Sequence, residues 1–232
     1  MNRREFTFCA AAAWAVPVLA HALPPPPLTG RRRDGQQTPA RFLIVMLHGY
    51  GGNGGAILSQ TGNLQSFAPS AAEVAPNAPV SLGVSAHSWL PIPGGGQRQP
   101  TAAECGSAVD RYCDAELARL DLAPDRLILL GFSQGSVMAL NVGLRRRYAP
   151  AAIIGFSGPY LAPDPLGPGK PAVLLVHGAD DDSVNPRAEQ DVVERLTAEG
   201  VPVESHVLAG LGHAIDQRGI DMAGALLRRV TV

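Results

Sequence analysis

Cysteine is scarce in this 232-residue chain: Cys9, Cys105 and Cys113 are the whole set, odd in number and without metal-ligand spacing. That excludes a disulfide framework and a clustered zinc motif. Charge of one sign is also missing. Nineteen Lys and Arg stand against twenty Asp and Glu, a formal net charge of −1, which offers nothing to nucleic acid or an anionic membrane surface. Aromatic residues are few, there is no internal repeat, and no apolar run reaches the ~20 residues that a membrane-spanning helix needs. What is present is 46% hydrophobic and 17% charged. That composition, at this length, suits one globular α/β domain with a full core.

The first residues read as a targeting segment. Arg3 and Arg4 precede an uncharged stretch from Phe6 to Ala20, which closes on the small-x-small sequence Ala20-His21-Ala22. Charged start, apolar middle and small-residue end describe a secretory signal over residues 1–22. Arg3-Arg4-Glu5-Phe6 resembles the twin-arginine signal, which exports folded proteins. The expected location is therefore periplasmic or secreted, with no stable membrane insertion after signal removal. Cys9 sits too early for a lipoprotein site. Residues 23–40 read as a linker, extended over Pro24–Pro27, with Arg31, Arg32 and Arg33 as a solvated run.

From residue 41 onward, apolar runs alternate with helical patterns. Arg41–Leu47 reads as a strand buried on both faces and ends in the glycine-rich loop His48 to Gly55. A partly helical stretch follows over 56–70, then a strand over Pro79–Ser85. Thr101–Leu120 is a helix with Cys105, Val109, Cys113 and Leu117 on one face. Its two cysteines lie about 12 Å apart, too far to bond. Arg126–Leu130, Ala151–Phe156 and Ala172–Val176 are further buried strands, and Val201–Leu208 alternates like an edge strand. Helices are expected over Ser136–Arg147, Ala188–Glu199 and His213–Arg229, the first with its basic end at the negative end of the helix dipole. The pattern predicts a single-domain, doubly wound, mostly parallel sheet without a large lid domain.

Reactive groups collect at the carboxyl ends of such strands. Three loops there carry suitable side chains in the order Ser, Asp, His. Gly131-Phe132-Ser133-Gln134-Gly135 lies between a strand and a helix, the setting of a nucleophile elbow, with Ser133 at its tip. His177-Gly178-Ala179-Asp180-Asp181-Asp182 offers a carboxylate to orient a histidine; Asp181 is favoured and Asp180 stands second. The spacing does not match a calcium loop, and no metal site is expected. His213, after Gly210-Leu211-Gly212, follows both in the order this chemistry uses and can serve as base and then acid. His48 and His177 precede glycine at strand ends and brace those loops; His87 and His206 lack supporting context. The backbone amides of Gln134 and Tyr50 are the expected oxyanion donors, leaving their side chains free to vary.

With these residues placed, the chain resembles the phospholipase/carboxylesterase family of α/β-hydrolases, which includes acyl-protein thioesterases and small bacterial carboxylesterases. Leu47-His48-Gly49, Gly131 to Gly135, His177-Gly178-x-x-Asp181-x-x-Val184 and Gly212-His213 are the landmarks, spread over about residues 40 to 225. Ser88-Trp89-Leu90 resembles the family's tryptophan segment, which makes Trp89 a candidate substrate-binding residue. The resemblance implies cofactor-free hydrolysis of carboxylic esters or thioesters through an acyl-enzyme: Ser133 attacks, His213 shuttles the proton, Asp181 orients, and Tyr50 and Gln134 hold the oxyanion. Two departures, the glycine-rich loop after His48-Gly49 and the Pro91–Pro100 segment, lie beside the expected acyl pocket and turn the expectation towards a small-molecule ester substrate. A peptidase, a polyester or feruloyl esterase, or a non-catalytic binding protein on the same fold are the alternatives. The export reading has its own test: protein isolated from its native host is expected to begin near Leu23, and a mature chain that still begins at Met1 defeats it.

Overall fold

Phe42–Leu47 is apolar at every position because both of its faces are covered. Leu43, Val45 and Leu47 pack with Cys105, Val109 and Met138. Phe42, Ile44 and Met46 pack on the opposite side with Ile57, Ile220 and Leu227. The computed structural model describes residues 27–62, 64–92, 99–159 and 165–231. The expected signal segment, with Cys9 and His21, lies outside them.

In chain order the sheet strands are β1 (Gly30–Arg33), β2 (Phe42–Leu47), β3 (Ala71–Pro76), β6 (Leu127–Phe132), β7 (Ala152–Phe156), β8 (Ala172–Gly178) and β9 (Val203–Leu208); β4 (Val80–Gly83) and β5 (Ala86–Ser88) form a separate hairpin. The seven strands run in the order β1-β3-β2-β6-β7-β8-β9. All neighbours are parallel except β1 with β3. Helices α2 (Ala102–Arg119), α3 (Gln134–Gly143) and α4 (Ala188–Ala198) supply one apolar layer, and α1 (Gly54–Gln60) and α5 (Gln217–Val230) the other. This is the doubly wound arrangement expected. Among the described residues no inserted lid domain interrupts it, and no helix is long and apolar enough to cross a membrane.

Four expectations need correction. The strand expected over Pro79–Ser85 is the short hairpin strand β4; the sheet neighbour of β2 is β3, whose Ala71-Ala72-Glu73-Val74-Ala75-Pro76 lacks large apolar side chains and carries a charge. The linker over 23–40 contains β1, in which Arg31–Arg33 pair with Glu73–Ala75. Two of its three arginines are ion-pair partners and not a free solvated run: Arg33 reaches Glu73 at 3.0 Å, and Arg32 binds Glu116 of α2, while Arg31 is exposed. The helix expected over Ser136–Arg147 ends at Gly143, with Leu144 as C-cap; Arg146, beyond it, pairs with Asp110 and Asp114 of α2. The helix expected from His213 begins at Gln217, capped by Asp216, so His213 lies in a loop. Cys105 and Cys113 are free and fully buried in the α2–sheet core, and burial raises both thiols above their ordinary range.

Glu73 is fully buried. Burial pushes its carboxyl up to about 7, against the opposing pull of Arg33. The folded state therefore binds this proton more tightly than the unfolded chain. The associated stability is complete below 4.5 and is lost as pH rises through about 7. Glu73→Gln, which keeps the neutral form at every pH, is expected to melt with the wild type in mild acid and a few degrees above it, on the order of 4 °C, in mild alkali. Thermal melts across that range check it; a pH-independent difference contradicts the assignment.

Candidate active site

At the carboxyl edge of the sheet, β6 turns directly into α3. Ser133 sits at that turn with φ 53° and ψ −119°, a left-handed conformation rare for a side-chain-bearing residue. Its amide donates to the Phe156 carbonyl at 2.9 Å, fixing the turn to the end of β7. The flanking glycines explain why the turn closes. A Cβ on Gly131 would lie 2.1 Å from the Gly135 carbonyl oxygen, and one on Gly135 would lie 1.9 Å from that of Leu47. Only hydrogen fits at either place. The turn is therefore pressed onto the end of β2, and Ser133 remains half-buried at its tip.

His213 reaches the same edge from the loop after β9. Its ring lies 4.9 Å, centroid to centroid, from that of Phe132, the neighbour of Ser133. Its Nδ1 is 2.8 Å from Asp181 Oδ2. Asp181 leaves the end of β8 almost fully buried, whereas Asp180 and Asp182 are exposed. Of the three adjacent aspartates, Asp181 is thus the one joined to His213. Its other oxygen, Oδ1, accepts from the Ser183 and Val184 amides, each at 2.9 Å. Burial pushes the Asp181 carboxyl up, but the hydrogen bonds from His213, Val184 and Ser183 outweigh it and hold the group below the usual carboxylate range. An ionised carboxylate on Nδ1 fixes the tautomer with a proton there, so that Nε2 can accept one.

The loop from His48 to Gly52 runs over the elbow. A Cβ on Gly49 would come within 3.2 Å of the Ser133 Cβ, so the Tyr50 amide lies in the segment adjoining the serine, with the Tyr50 ring exposed. The Gln134 amide belongs to the first turn of α3, where helical N–H groups have no partner within the helix. These two positions are where the sequence puts oxyanion donors.

The Gln134 side chain is not free to vary, contrary to expectation. It is buried, and its Oε1 accepts from Ser88 Oγ and the Trp89 amide, each at 3.1 Å. Trp89, a candidate for substrate binding, is fully buried, lies within the core and donates from Nε1 to the His48 carbonyl at 2.8 Å. Its indole braces the loop bearing Tyr50. His48 is a brace as well: Nδ1 donates to the Gly49 carbonyl at 2.7 Å while Nε2 accepts from the Ala78 amide at 3.1 Å. Burial holds its imidazole down to about 4, so it stays neutral. His87, which had no context in the sequence, clamps the same loop through its backbone, accepting from Gly51 N at 2.9 Å and donating to Gly52 O at 3.0 Å. Asn53 caps α1 through the Ala56 amide and reaches the Ser85 carbonyl. No local pattern announces the contacts of Gln134 with Trp89, Trp89 with His48, His48 with Ala78 and His87 with Gly51 and Gly52, because each joins residues far apart in the chain.

Asp181→Asn is expected to lower kcat on chromogenic esters by about 10⁴-fold, the order found when an orienting carboxylate becomes an amide. Asp180→Asn should leave kcat unchanged. Equal losses in steady-state kinetics would contradict the geometry.

The sequence pattern of the phospholipase/carboxylesterase family matches residues 34–230. The crystal structure of esterase PE8 is similar with a TM-score of 0.80 and 34% identity, covering 88% of this chain and 99% of that one. Carboxylesterase SOBER1 of Arabidopsis thaliana is 26% identical over 208 residues, 82% of this chain and 91% of its own length. Its crystal structure gives a TM-score of 0.72 at 25% identity, covering 83% of this chain and 100% of that one. Esterase YpfH of Escherichia coli (strain K12) is 30% identical over 95 residues, a match that spans 41% of either chain.

Proposed function

This chain belongs to the phospholipase/carboxylesterase family and is a serine carboxylesterase, and with that as premise we propose that Ser133, His213 and Asp181 are its catalytic residues. The observation that carries the reading is the buried Asp181 carboxylate on His213 Nδ1 at the edge where the strained Ser133 turn emerges. His213 Nε2 takes the Ser133 proton as Oγ attacks the ester carbonyl. The tetrahedral oxyanion receives the Gln134 and Tyr50 amides, each such donor contributing about 3 kcal/mol to the transition state. His213⁺ then protonates the leaving alcohol. Water, activated in turn by His213, releases the acid from the acyl-enzyme. The chemistry needs no cofactor.

The substrate class we propose is a small carboxylic ester. Two features support it: the half-buried Ser133 next to a loop that carries the exposed Tyr50 ring, and the absence of a lid domain among the described residues. The twin-arginine-like start of the chain favours an exported enzyme, acting on esters outside the cytoplasm. The full-length or signal-processed protein is expected to cleave short-chain p-nitrophenyl esters and to take a fluorophosphonate label, both lost in Ser133→Ala. Cleavage of peptides with short esters untouched would replace the esterase reading with a peptidase. Folded protein that neither labels nor turns over would make it a binding protein.

A further inference from the structure

Behind Asp181 lies a second histidine that the mechanism above does not use. His177, at the end of β8, is fully buried. Its Nε2 is 3.1 Å from the Val184 carbonyl oxygen and also 3.1 Å from Asp181 Oδ2, the oxygen that holds His213. Its Nδ1 is 3.5 Å from Glu189 Oε2, on the first turn of α4. Glu189 is itself almost fully buried, and its other oxygen accepts from Ser205 Oγ on β9. Both ring nitrogens therefore face acceptors. Nε2 carries a hydrogen to sit between two oxygens, and a second hydrogen on Nδ1 turns its 3.5 Å approach to an ionised Glu189 from repulsion into attraction.

We propose that His177 is a positioning residue for the esterase reaction: an imidazolium clamped between Asp181 and Glu189, whose Nε2–H holds Asp181 Oδ2 in place on His213. The inference rests on the catalytic assignment of Ser133, His213 and Asp181 given above. It explains why a second carboxylate is buried a short step from the first. Two anions, Asp181 and Glu189, with one cation between them, leave a single net negative charge for His213 to meet. Were His177 uncharged, His213 would face two buried carboxylates and would give up its proton less readily. Burial opposes the charge on His177, but Glu189, the Val184 carbonyl and Asp181 together hold its imidazole above the ordinary value. The groups facing it are Asp181 and Val184 from the loop after β8 and Glu189 from α4, with the Ser205 hydroxyl of β9 behind Glu189. Asp180 and Asp182 point to solvent.

The test has three arms on the whole protein. Nitrogen-15 NMR of histidine-labelled protein is expected to show His177 with both nitrogens protonated at neutral pH, and Glu189→Gln should move its deprotonation to lower pH. His177→Leu is expected to lower kcat by about 10- to 100-fold, the order of cost of displacing a catalytic group by ~1 Å. KM should be unchanged, and the acid limb of the pH–kcat/KM profile should move to higher pH. His177→Gln, which restores a donor at the Nε2 position without the charge, should recover most of kcat while keeping the shifted limb. A singly protonated His177 at neutral pH in the wild type overturns the inference. So does a folded His177→Leu protein with the wild-type kcat and acid limb, and that result leaves the catalytic assignment standing. If His177→Leu does not fold, the NMR titrations of the wild type and Glu189→Gln decide the matter. If the wild type shows no Ser133-dependent turnover, the catalytic assignment falls and the inference with it.

Discussion

The end of β2 and the start of α3 touch with no side chain between them. Gly135 lies against the Leu47 carbonyl so closely that a methyl group there would overlap it. That contact brings two distant parts of the chain into one place: the turn that lifts Ser133 and the loop that carries Tyr50. Trp89 pins the His48 carbonyl, and Gln134 pins Trp89, so the loop after β2 and the start of α3 are tied by hydrogen bonds between buried groups. Such buried polar links are costly unless satisfied, and here donor and acceptor meet at 2.8 to 3.1 Å.

The acid side of the site is built differently. Asp181 is held by the amides of its own loop through Oδ1, which leaves Oδ2 for His213. The loop geometry thus sets which carboxylate oxygen faces the histidine, and the exposed neighbours Asp180 and Asp182 are left to solvent. On the far side of Asp181, His177 and Glu189 extend the polar chain towards β9 and α4. The polar chain that ends on His213 thus runs back through the interior to α4 and β9.

How much of this could be read from the sequence follows from how local each signal is. The elbow was legible because Gly131, Ser133 and Gly135 lie within five residues, between an apolar strand and a helix. The order of Ser133, Asp181 and His213 was legible for the same reason, each being attached to its own strand end. Strand β3 was not: three of its residues are alanine, and Glu73 looks like a surface residue until Arg33 is seen beside it. The arginine run of β1 looked solvated because its carboxylate partners, Glu73 and Glu116, lie far along the chain. Trp89 was misplaced because an indole near an active site serves equally well as a wall or as a brace. The direction of its N–H towards His48 decides which, and no spacing rule encodes it.

The strand order carries a consequence for how the molecule comes into being. β2 pairs along one edge with β6, so Leu43 must find Leu127 across most of the intervening fold. The entropy of closing a loop of that length is lost before the contact returns anything, and long-range parallel pairing of this kind slows folding. The loop that carries Tyr50 follows β2, and the Ser133 turn follows β6. The two segments stay apart until that pairing forms, and His213 comes from further along the chain, in the loop between β9 and α5. While that pairing is incomplete, the residues proposed for catalysis are not yet assembled.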